Sequence, residues 1–433
     1  MEEPKKTAAI KSTETVKKVR SIVRGLYTKA MEAKEAGIPV AYTMTLGCYD
    51  EILRAMDIVP IWTENYGALC AVKRDADRFL QRAQAEGFSD ALCTYAMAGI
   101  GFDALREELG EMPPDAPDGG MPKPDLLITS SSMCEPHLKW YQALGRYMDT
   151  PLFNMDVIHF SVPITANISE VRDYHIKYQV DQYKRLIEFL ERETGKKMDW
   201  DRLAETVDIG ERTWRLWWET YELRKNRPCP MPSQDHFSVI VPAMYLTGLR
   251  EALDFYQGLY DEIKYRVDNN ISAIPNEKYR LLWAGGLPPW HTMQVFNFFE
   301  EHGAVCSMET VYRPPEPPEM PAGTTDPLGR LSWRYFDMAN HRHVEARSGC
   351  GDPSVQLILD LIKDFGIDGM VMHVVQSCRA TTIGQVHFAN VVRQQVDVPT
   401  LFIESDMVNA SAFSEVEVKK NIAAFVETLD ARK

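Results

Sequence analysis

The stretch PDLLITSSSMCEPHLKW, residues 124–140, decides how the fold is interpreted from the sequence. An apolar run at 126–128 is followed by four small hydroxyl residues and then by Cys134. A helical pattern begins at Pro136, so the stretch predicts a buried strand, a turn and the start of a helix. Ligands bind at the carboxyl ends of strands in open α/β sheets, and Cys134 is therefore a candidate functional residue.

A second strand that ends at a cysteine lies far downstream, in DGMVMHVVQSC. Its apolar residues run from Met370 to Val375, and Cys378 follows. Cys93 is a candidate third partner, because it opens an amphipathic stretch after an acidic helical pattern. These three cysteines are too far apart in the sequence for a local metal-binding knuckle. They can meet only if two domains face each other.

Cys48 competes with Cys93 for the third position. It follows a predicted strand at 38–46, so it also lies at a strand end. A small residue that fills a tight turn would explain Cys48 equally well, and the residues alone leave both alternatives open.

The other cysteines have weaker claims to a functional role. Cys70 is predicted to be a core or loop thiol, Cys229 lies between two prolines of a loop, and Cys306 lies inside a predicted strand. Cys350 is flanked by glycines, which allow a backbone to approach a cofactor closely, so the pattern alone does not dismiss it.

Length and composition indicate an ordinary globular protein. The 433 residues suffice for two or three domains with substantial cores, and no apolar run approaches the roughly 20 residues of a membrane span. The N-terminal residues lack the apolar core of a signal peptide, so we expect a cytoplasmic protein. The net charge of −14 argues against nucleic acid as a main partner. In the cytoplasm the eight cysteines are not expected to form disulfides.

The order of predicted elements indicates an α/β protein with two Rossmann-like parallel-sheet domains. A long, charged, helical region separates the two sets of strands. We therefore predict an N-terminal helical segment at 1–37, a first α/β domain at 38–165, a helical linker region at 166–270 and a second α/β domain at 271–433. The proline-rich loop at 313–329 is long enough to be a functional lid or an interface.

Several familiar motifs are absent from the sequence. It contains neither CxxC nor HExxH, which are typical of zinc sites, and no ferredoxin-type run of cysteines. It also lacks GxGxxG after a strand and GxxxxGK[ST], so nothing indicates dinucleotide binding or ATP hydrolysis. Any ATP-driven step would have to occur on a partner.

A set of short motifs, spread from about residue 38 to the C-terminus, resembles the benzoyl-CoA reductase and 2-hydroxyacyl-CoA dehydratase family. The resemblance is closest to the B-type subunit of the ATP-dependent benzoyl-CoA reductases. The motifs are Cys93-Thr94-Tyr95 with Gly99-Ile100-Gly101, Cys134 with Lys139-Trp140, Asp326-Pro327-Leu328-Gly329, Ser377-Cys378 with Gly384-Gln385, and Phe402-Ile403-Glu404-Ser405-Asp406.

The resemblance implies a [4Fe-4S] cluster held by three cysteines, with one iron that lacks a cysteine ligand. It places the ligands at Cys93, Cys134 and Cys378, and thereby favours Cys93 over Cys48. The remaining five cysteines are then structural. An iron without a thiolate can bind a substrate atom or a ligand from outside the protein.

The resemblance also implies an activity and partners. The expected reaction is ATP-dependent, ferredoxin-linked reduction of benzoyl-CoA or another aryl-CoA to a cyclic dienoyl-CoA. The expected partners are a smaller homologous cluster-carrying subunit, ATP-hydrolysing iron-sulfur activator subunits, ferredoxin and the aryl-CoA substrate. Two alternatives stay open: a subunit of a radical 2-hydroxyacyl-CoA dehydratase, and a homodimeric double-cluster electron carrier.

Two further groups of residues each allow two interpretations. Ser130 to Ser132 could donate hydrogen bonds to the cluster, or could simply form the turn before Cys134. Trp290 and His291 follow a predicted strand, where they could line a substrate pocket or donate a proton. A packed aromatic side chain beside a surface histidine is the alternative.

Overall fold

Two four-stranded parallel sheets, each flanked by helices, form the frame of the molecule. The computed structural model describes residues 7–131, 134–157, 168–345 and 352–432. The α/β class with two Rossmann-like units, predicted from the sequence, is confirmed. Within the described ranges, no helix is both long and apolar enough to cross a membrane.

The first sheet and its helices follow an N-terminal 3₁₀ turn at Thr15–Lys18. The strands are β1 (Val40–Thr43), β2 (Val59–Trp62), β3 (Leu126–Ser130) and β4 (Leu152–Met155). The helices are α1 (Val19–Glu35), α2 (Asp50–Ala55), α3 (Thr63–Val72), α4 (Ala76–Ala85), α5 (Thr94–Leu109) and α6 (Glu135–Met148). The strands lie in the order β2-β1-β3-β4.

Four helices come next in the chain, and the second sheet follows them. The four are α7 (Ile168–Thr194), α8 (Trp200–Leu223), α9 (Ser233–Tyr245) and α10 (Arg250–Asp268). The second set of strands is β5 (Tyr279–Ala284), β6 (Ala304–Glu309), β7 (Gly369–Val375) and β8 (Thr400–Ser405). The helices around it are α11 (Val295–Glu300), α12 (Pro327–Glu345), α13 (Pro353–Phe365), α14 (Arg379–Thr382), α15 (Gln385–Val396) and α16 (Glu415–Asp430). The strands lie in the order β6-β5-β7-β8.

The two sheets have the same topology. In each sheet, the first strand along the chain lies between the second and the third strands. The fourth strand lies at the edge, beside the third. The order therefore reverses between β1 and β3 and again between β5 and β7. Ligands of open parallel sheets bind at such points, beyond the carboxyl ends of the strands. The segments that follow β3 and β7 thus occupy equivalent positions.

The central strand β3 is buried along its whole length, as expected for a parallel strand covered on both faces. Leu127 pairs with Tyr42 of β1, and Ser130 pairs with Met155 of β4. This register places the turn before Cys134 at the carboxyl edge of the sheet.

Helix α5 differs from the prediction. The pattern after Cys93 predicts an amphipathic stretch, but residues 94–104 are all buried, because α3, α4 and α6 pack around the helix. Two glycines make this packing possible. A Cβ atom at Gly101 would lie 1.8 Å from the carbonyl oxygen of Phe79 in α4, and one at Gly99 would lie 2.1 Å from the Trp140 ring of α6.

Two buried ion pairs join elements that are distant in the sequence. One connects the end of α8 to the second sheet, and the other connects α12 to the half of the molecule that contains the first sheet. Arg224, just after α8, donates to the Glu309 carboxylate of β6 at 2.8 Å, and both side chains are fully buried. Arg334 of α12 pairs with Glu51 of α2. The largest apolar core also includes residues from both halves. The predicted domain boundaries stay predictions.

The loop predicted at 313–329 is shorter than expected. Helix α12 begins at Pro327, and the Asp326 carboxylate accepts a hydrogen bond from the amide of Gly329 at 2.8 Å, as in a helix cap. Prolines of the remaining loop lie beside Trp214 of α8. A role of this loop as a lid or an interface stays a prediction.

Replacing Gly101 with alanine should lower the free energy of unfolding by about 1–3 kcal/mol or more, because the new methyl group must displace the backbone of α4. Gly258→Ala in α10 is the matched control. Nothing lies within 4 Å of its Cβ position, and alanine is favoured over glycine in a helix by about 1 kcal/mol, so this variant should be slightly more stable. Urea unfolding of both variants checks the difference. A Gly101→Ala protein as stable as the unmodified one would contradict the close α4–α5 contact.

Candidate functional site

Each of the three predicted ligands immediately precedes a helix. Cys93 precedes α5, Cys134 precedes α6 and Cys378 precedes the short helix α14. For Cys93, burial raises the pKa of the thiol, and the backbone amides of Ala96 and Tyr95 partly oppose this effect. Sulfur atoms at such positions lie close to free backbone N–H groups of the first turn.

All three cysteines line one cavity of about 440 Å³, which we call the cysteine cavity. Cys134 and Cys378 follow the equivalent strands β3 and β7, and the start of α5 brings Cys93 to them. The cavity also contains two basic side chains, Lys139 and Arg379. The structure therefore brings together the three residues that the sequence pattern and the family resemblance indicate.

Exposure separates these three thiols from the other cysteines that the structure describes. Cys93, Cys134 and Cys378 are partly exposed, whereas the rest are buried. The buried thiols are Cys48, Cys70, Cys229 and Cys306. Cys350 lies outside the described residues.

Cys48 occupies a tight turn, with a backbone φ of 51°. Its side chain is 4% exposed, and its sulfur lies 3.5 Å from the sulfur of Met338. Burial raises the pKa of the Cys48 thiol. These contacts agree with a small residue that fills a turn, the alternative stated above. The choice of Cys93, Cys134 and Cys378 as the cluster ligands nevertheless stays a prediction.

The chemistry of the three thiols bears on the kind of group that they can hold. Burial raises the pKa of the Cys93 thiol, and the nearby Cys134 and Cys378 raise this pKa further. Binding of the Cys93 thiolate therefore requires a compensating positive charge. Among the described residues, no group of three or more His, Cys, Asp or Glu side chains is placed to hold one metal ion. An iron-sulfur cluster distributes its thiolates over separate irons, so the sulfurs need not converge on one point.

A second cavity, of about 560 Å³, lies at the other side of the start of α5. We call it the aromatic cavity, because five aromatic side chains line it. They are Tyr95, Phe237, Tyr245, Trp290 and Tyr312. The indole N–H of Trp290 donates to the hydroxyl of Tyr95, two residues after Cys93.

Trp290 and His291 therefore differ in role. Trp290 lines the aromatic cavity, as one of the two interpretations proposed. His291 is 2% exposed, so the alternative of a surface histidine is wrong. Its Nε2 lies 2.9 Å from the carbonyl oxygen of Asp406, and burial lowers its pKa to about 4. His291 packs into the interior because the segment after β8 covers it.

Glu64 is a candidate functional residue that the sequence analysis missed. It lines the aromatic cavity, and one of its oxygens accepts a hydrogen bond from the amide of Thr45 at 2.8 Å. The other oxygen lies 2.7 Å from Nε2 of His137, three residues after Cys134. A signal was present, because Glu64 follows the carboxyl end of β2, where ligand-binding residues of such sheets lie.

The pair of Glu64 and His137 is charged. Burial disfavours the imidazolium, but the Glu64 carboxylate outweighs burial and raises the pKa of His137 to about 10, with a contribution from Cys134. Burial likewise opposes ionisation of Glu64, but His137 outweighs it and lowers the carboxyl pKa. The two residues thus form a polar connection between the aromatic cavity and Cys134.

The hydroxyl residues before Cys134 end strand β3 and begin the turn that follows it. The Ser131 hydroxyl donates to the Asp156 carboxylate at 3.1 Å and accepts from the amide of Val157 at 3.0 Å. The amide of Ser130 donates to the sulfur of Met44 at 2.9 Å. Ser132 lies outside the described residues. Ser131 thus supports the turn interpretation, whereas Ser130 is the last residue of β3.

Residues 46–429 match the family described as 2-hydroxyglutaryl-CoA dehydratase, D-component. The chain belongs to this family. It is 25% identical over 417 residues to the alpha subunit of lactoyl-CoA dehydratase from Anaerotignum propionicum, which covers 93% of each chain. It is also 25% identical over 441 residues to the B subunit of benzoyl-CoA reductase from Thauera aromatica, covering 98% of this chain and 96% of the relative. With the alpha subunit of (R)-phenyllactyl-CoA dehydratase from Clostridium sporogenes the identity is 23%, covering 96% and 95%.

The family predicted from the motifs is thereby confirmed. The named relatives are subunits of dehydratases or of a reductase that act on acyl-CoA thioesters. Identity does not separate the two reactions, because the lactoyl-CoA dehydratase and benzoyl-CoA reductase subunits are both 25% identical to this chain. The sequence-based preference for aryl-CoA reduction is therefore not favoured over dehydration.

Single serine replacements of Cys93, Cys134 and Cys378 should each remove most of the iron and acid-labile sulfide from the anaerobically purified protein. Cys48→Ser and Cys70→Ser are the matched controls, because both thiols are buried away from the cysteine cavity. Their iron content should stay near that of the unmodified chain. Loss of iron from a control, or zinc without sulfide in the unmodified protein, would show that the ligand set is wrong.

Proposed function

We propose that this chain is the cluster-carrying subunit of an enzyme complex that acts on acyl-CoA thioesters through single electrons. Cys93, Cys134 and Cys378 would hold a [4Fe-4S] cluster. The observation that carries the proposal is that these three partly exposed thiols line one cavity at the carboxyl ends of two equivalent sheets. When bound, such a cluster supplies low-potential electrons and an iron without a cysteine ligand.

The other residues of the cysteine cavity suit this role. Lys139 and Arg379 offset the negative charge of a thiolate-bound cluster. Phe88, Leu92 and Trp140 provide an apolar wall that limits the access of water. Charge, hydrogen bonds and solvent exposure set the reduction potential of a cluster, so these side chains would tune it.

The aromatic cavity is our proposed site for the acyl-CoA thioester. Its volume lies within the range of roughly 300–1,000 Å³ that is common for small-molecule sites. Its aromatic side chains suit an apolar acyl group. Basic side chains in the same lining suit the phosphates of coenzyme A. They are Lys11, Lys17, Arg20 and Lys73.

We favour an aryl-CoA as the substrate, because rings of Tyr95, Trp290 and Tyr312 can pack against a planar aromatic acyl group. The product would be a cyclic dienoyl-CoA. The chain has no nucleotide-binding motif, so a separate ATP-hydrolysing iron-sulfur activator would energise electrons from ferredoxin. A smaller homologous subunit with its own cluster would complete the complex.

Dehydration of a 2-hydroxyacyl-CoA is the second candidate, and Glu64 favours it. Glu64 lines the aromatic cavity as a carboxylate, the form that a side chain needs to accept a proton from a substrate there, and its ion pair with His137 makes it a weaker base than a free carboxylate. Dehydration removes a proton and a hydroxyl group without net consumption of electrons. Ring reduction consumes both electrons and protons.

The complex of this chain with its smaller homologue and the activator should reduce benzoyl-CoA or a substituted analogue, and should consume ATP and reductant in proportion to product. Product analysis after anaerobic incubation with benzoyl-CoA and, separately, with phenyllactyl-CoA checks this. An enoyl-CoA formed with only catalytic amounts of ATP would establish dehydration instead. A homodimer inert towards every acyl-CoA would establish an electron carrier.

Glu64→Gln should lower kcat by about 10²- to 10⁴-fold, because the amide keeps the shape of the side chain but cannot exchange a proton with the substrate. Iron content and melting temperature are measured alongside, to show that the cluster and the fold persist. Glu251→Gln on the exposed N-terminal end of α10 is the control and should retain full activity. An unchanged kcat in Glu64→Gln would remove Glu64 from the reaction.

A further inference from the structure

We propose that Asp406 is a positioning residue that fixes the distance between Cys93 and Cys378. These two thiols come from different halves of the molecule, one from the start of α5 and the other from the turn after β7. The inference rests on the proposed function only for the identity of the group that the thiols bind.

The carboxylate of Asp406 contacts the sequence neighbours of both cysteines. One oxygen accepts a hydrogen bond from the hydroxyl of Thr94, which follows Cys93, at 2.7 Å. The other oxygen accepts from the amide of Ser377, which precedes Cys378, at 3.2 Å, and from the Ser377 hydroxyl. The hydroxyls of Thr94 and Ser377 are themselves 3.0 Å apart. One side chain thus joins the two halves next to the cysteine cavity.

Asp406 is itself held in place by its own segment. It follows β8 directly and is 2% exposed. The oxygen that binds Thr94 also accepts from the amides of Val408 and Asn409, both at 2.9 Å. Its carbonyl oxygen lies 2.9 Å from Nε2 of His291. These hydrogen bonds fix the position of the carboxylate. The residues that bind the carboxylate are thereby held in fixed positions as well.

The charge of Asp406 matters for this role. Hydrogen bonds to a charged group are stronger than neutral ones, and five N–H or O–H donors converge on this carboxylate among the described residues. An asparagine would keep the shape but would turn an N–H₂ group towards some of these donors. The segments that carry Cys93 and Cys378 would then separate, and the cysteine cavity would lose its geometry.

The first test is Asp406→Asn in the complete, anaerobically purified complex. The rate at which an added chelator removes iron should rise about 10- to 100-fold, in line with the loss of metal affinity that follows removal of a residue that orients metal ligands. The electron paramagnetic resonance signal of the reduced cluster should broaden. Thr94→Val should also accelerate iron loss, whereas Thr94→Ser, which retains the hydroxyl, should restore the original rate.

Asp235→Asn is the matched control. Asp235 is also fully buried and also accepts several hydrogen bonds, from the amides and hydroxyls of Ser12 and Thr13 at 2.9–3.0 Å. None of these partners adjoins a cysteine of the cavity. This variant should release iron at the unmodified rate. An Asp406→Asn complex with unchanged iron release, or equal acceleration in both variants, would overturn the proposal.

A second measurement separates this proposal from the proposed function. In the iron-free chain, a short bifunctional thiol reagent should cross-link Cys93 to Cys378, and Asp406→Asn should reduce the yield of this cross-link severalfold. An unmodified protein that contains no iron and sulfide but shows this difference would refute the proposed function and retain the role of Asp406. An equal cross-link yield in both proteins would overturn the role of Asp406, whatever metal the chain binds.

Discussion

The carboxyl ends of the strands of both parallel sheets lie next to the first turn of α5. The cavity that Cys93, Cys134 and Cys378 line depends on this arrangement. Parallel strands must be covered on both faces, so their carboxyl ends are the edges left for ligands. Because both sheets have the same strand order, Cys134 and Cys378 emerge at equivalent places. The carboxylate of Asp406 joins the start of α5 to the turn after β7.

Close packing of α5 determines where its first residues lie. Gly99 and Gly101 let the helix approach α6 and α4, and its first residues then separate two cavities. Cys93 lines one cavity and Tyr95 lines the other, with a single residue between them. A proposed electron-transfer site and a proposed acyl site therefore share one wall. The Glu64–His137 pair provides a second connection between them.

Prediction from the sequence was accurate for elements whose burial alone determines their residue pattern. Strands such as β3 and β7 are buried along nearly their whole length and end at turns, so apolar runs predicted them well. Prediction was wrong where packing against other elements determines whether a residue is buried. The stretch after Cys93 was predicted to be amphipathic, but packing from three helices buries residues 94–104. A surface position for His291 was one of two open alternatives, since nothing local indicates that the Asp406 segment covers it.

By itself, the sequence determined the α/β class, the family and the short set of cysteines worth testing, because buried strands, strand-end cysteines and motifs are local features. Only the tertiary structure showed that Cys93, Cys134 and Cys378 line one cavity while Cys48 is buried. It alone identified Glu64 and His137 as a pair and showed what Asp406 contacts, because these partners lie in distant parts of the chain. The reason is that hydrogen bonds between elements distant in sequence depend on how the two sheets face each other, and no local pattern records that arrangement.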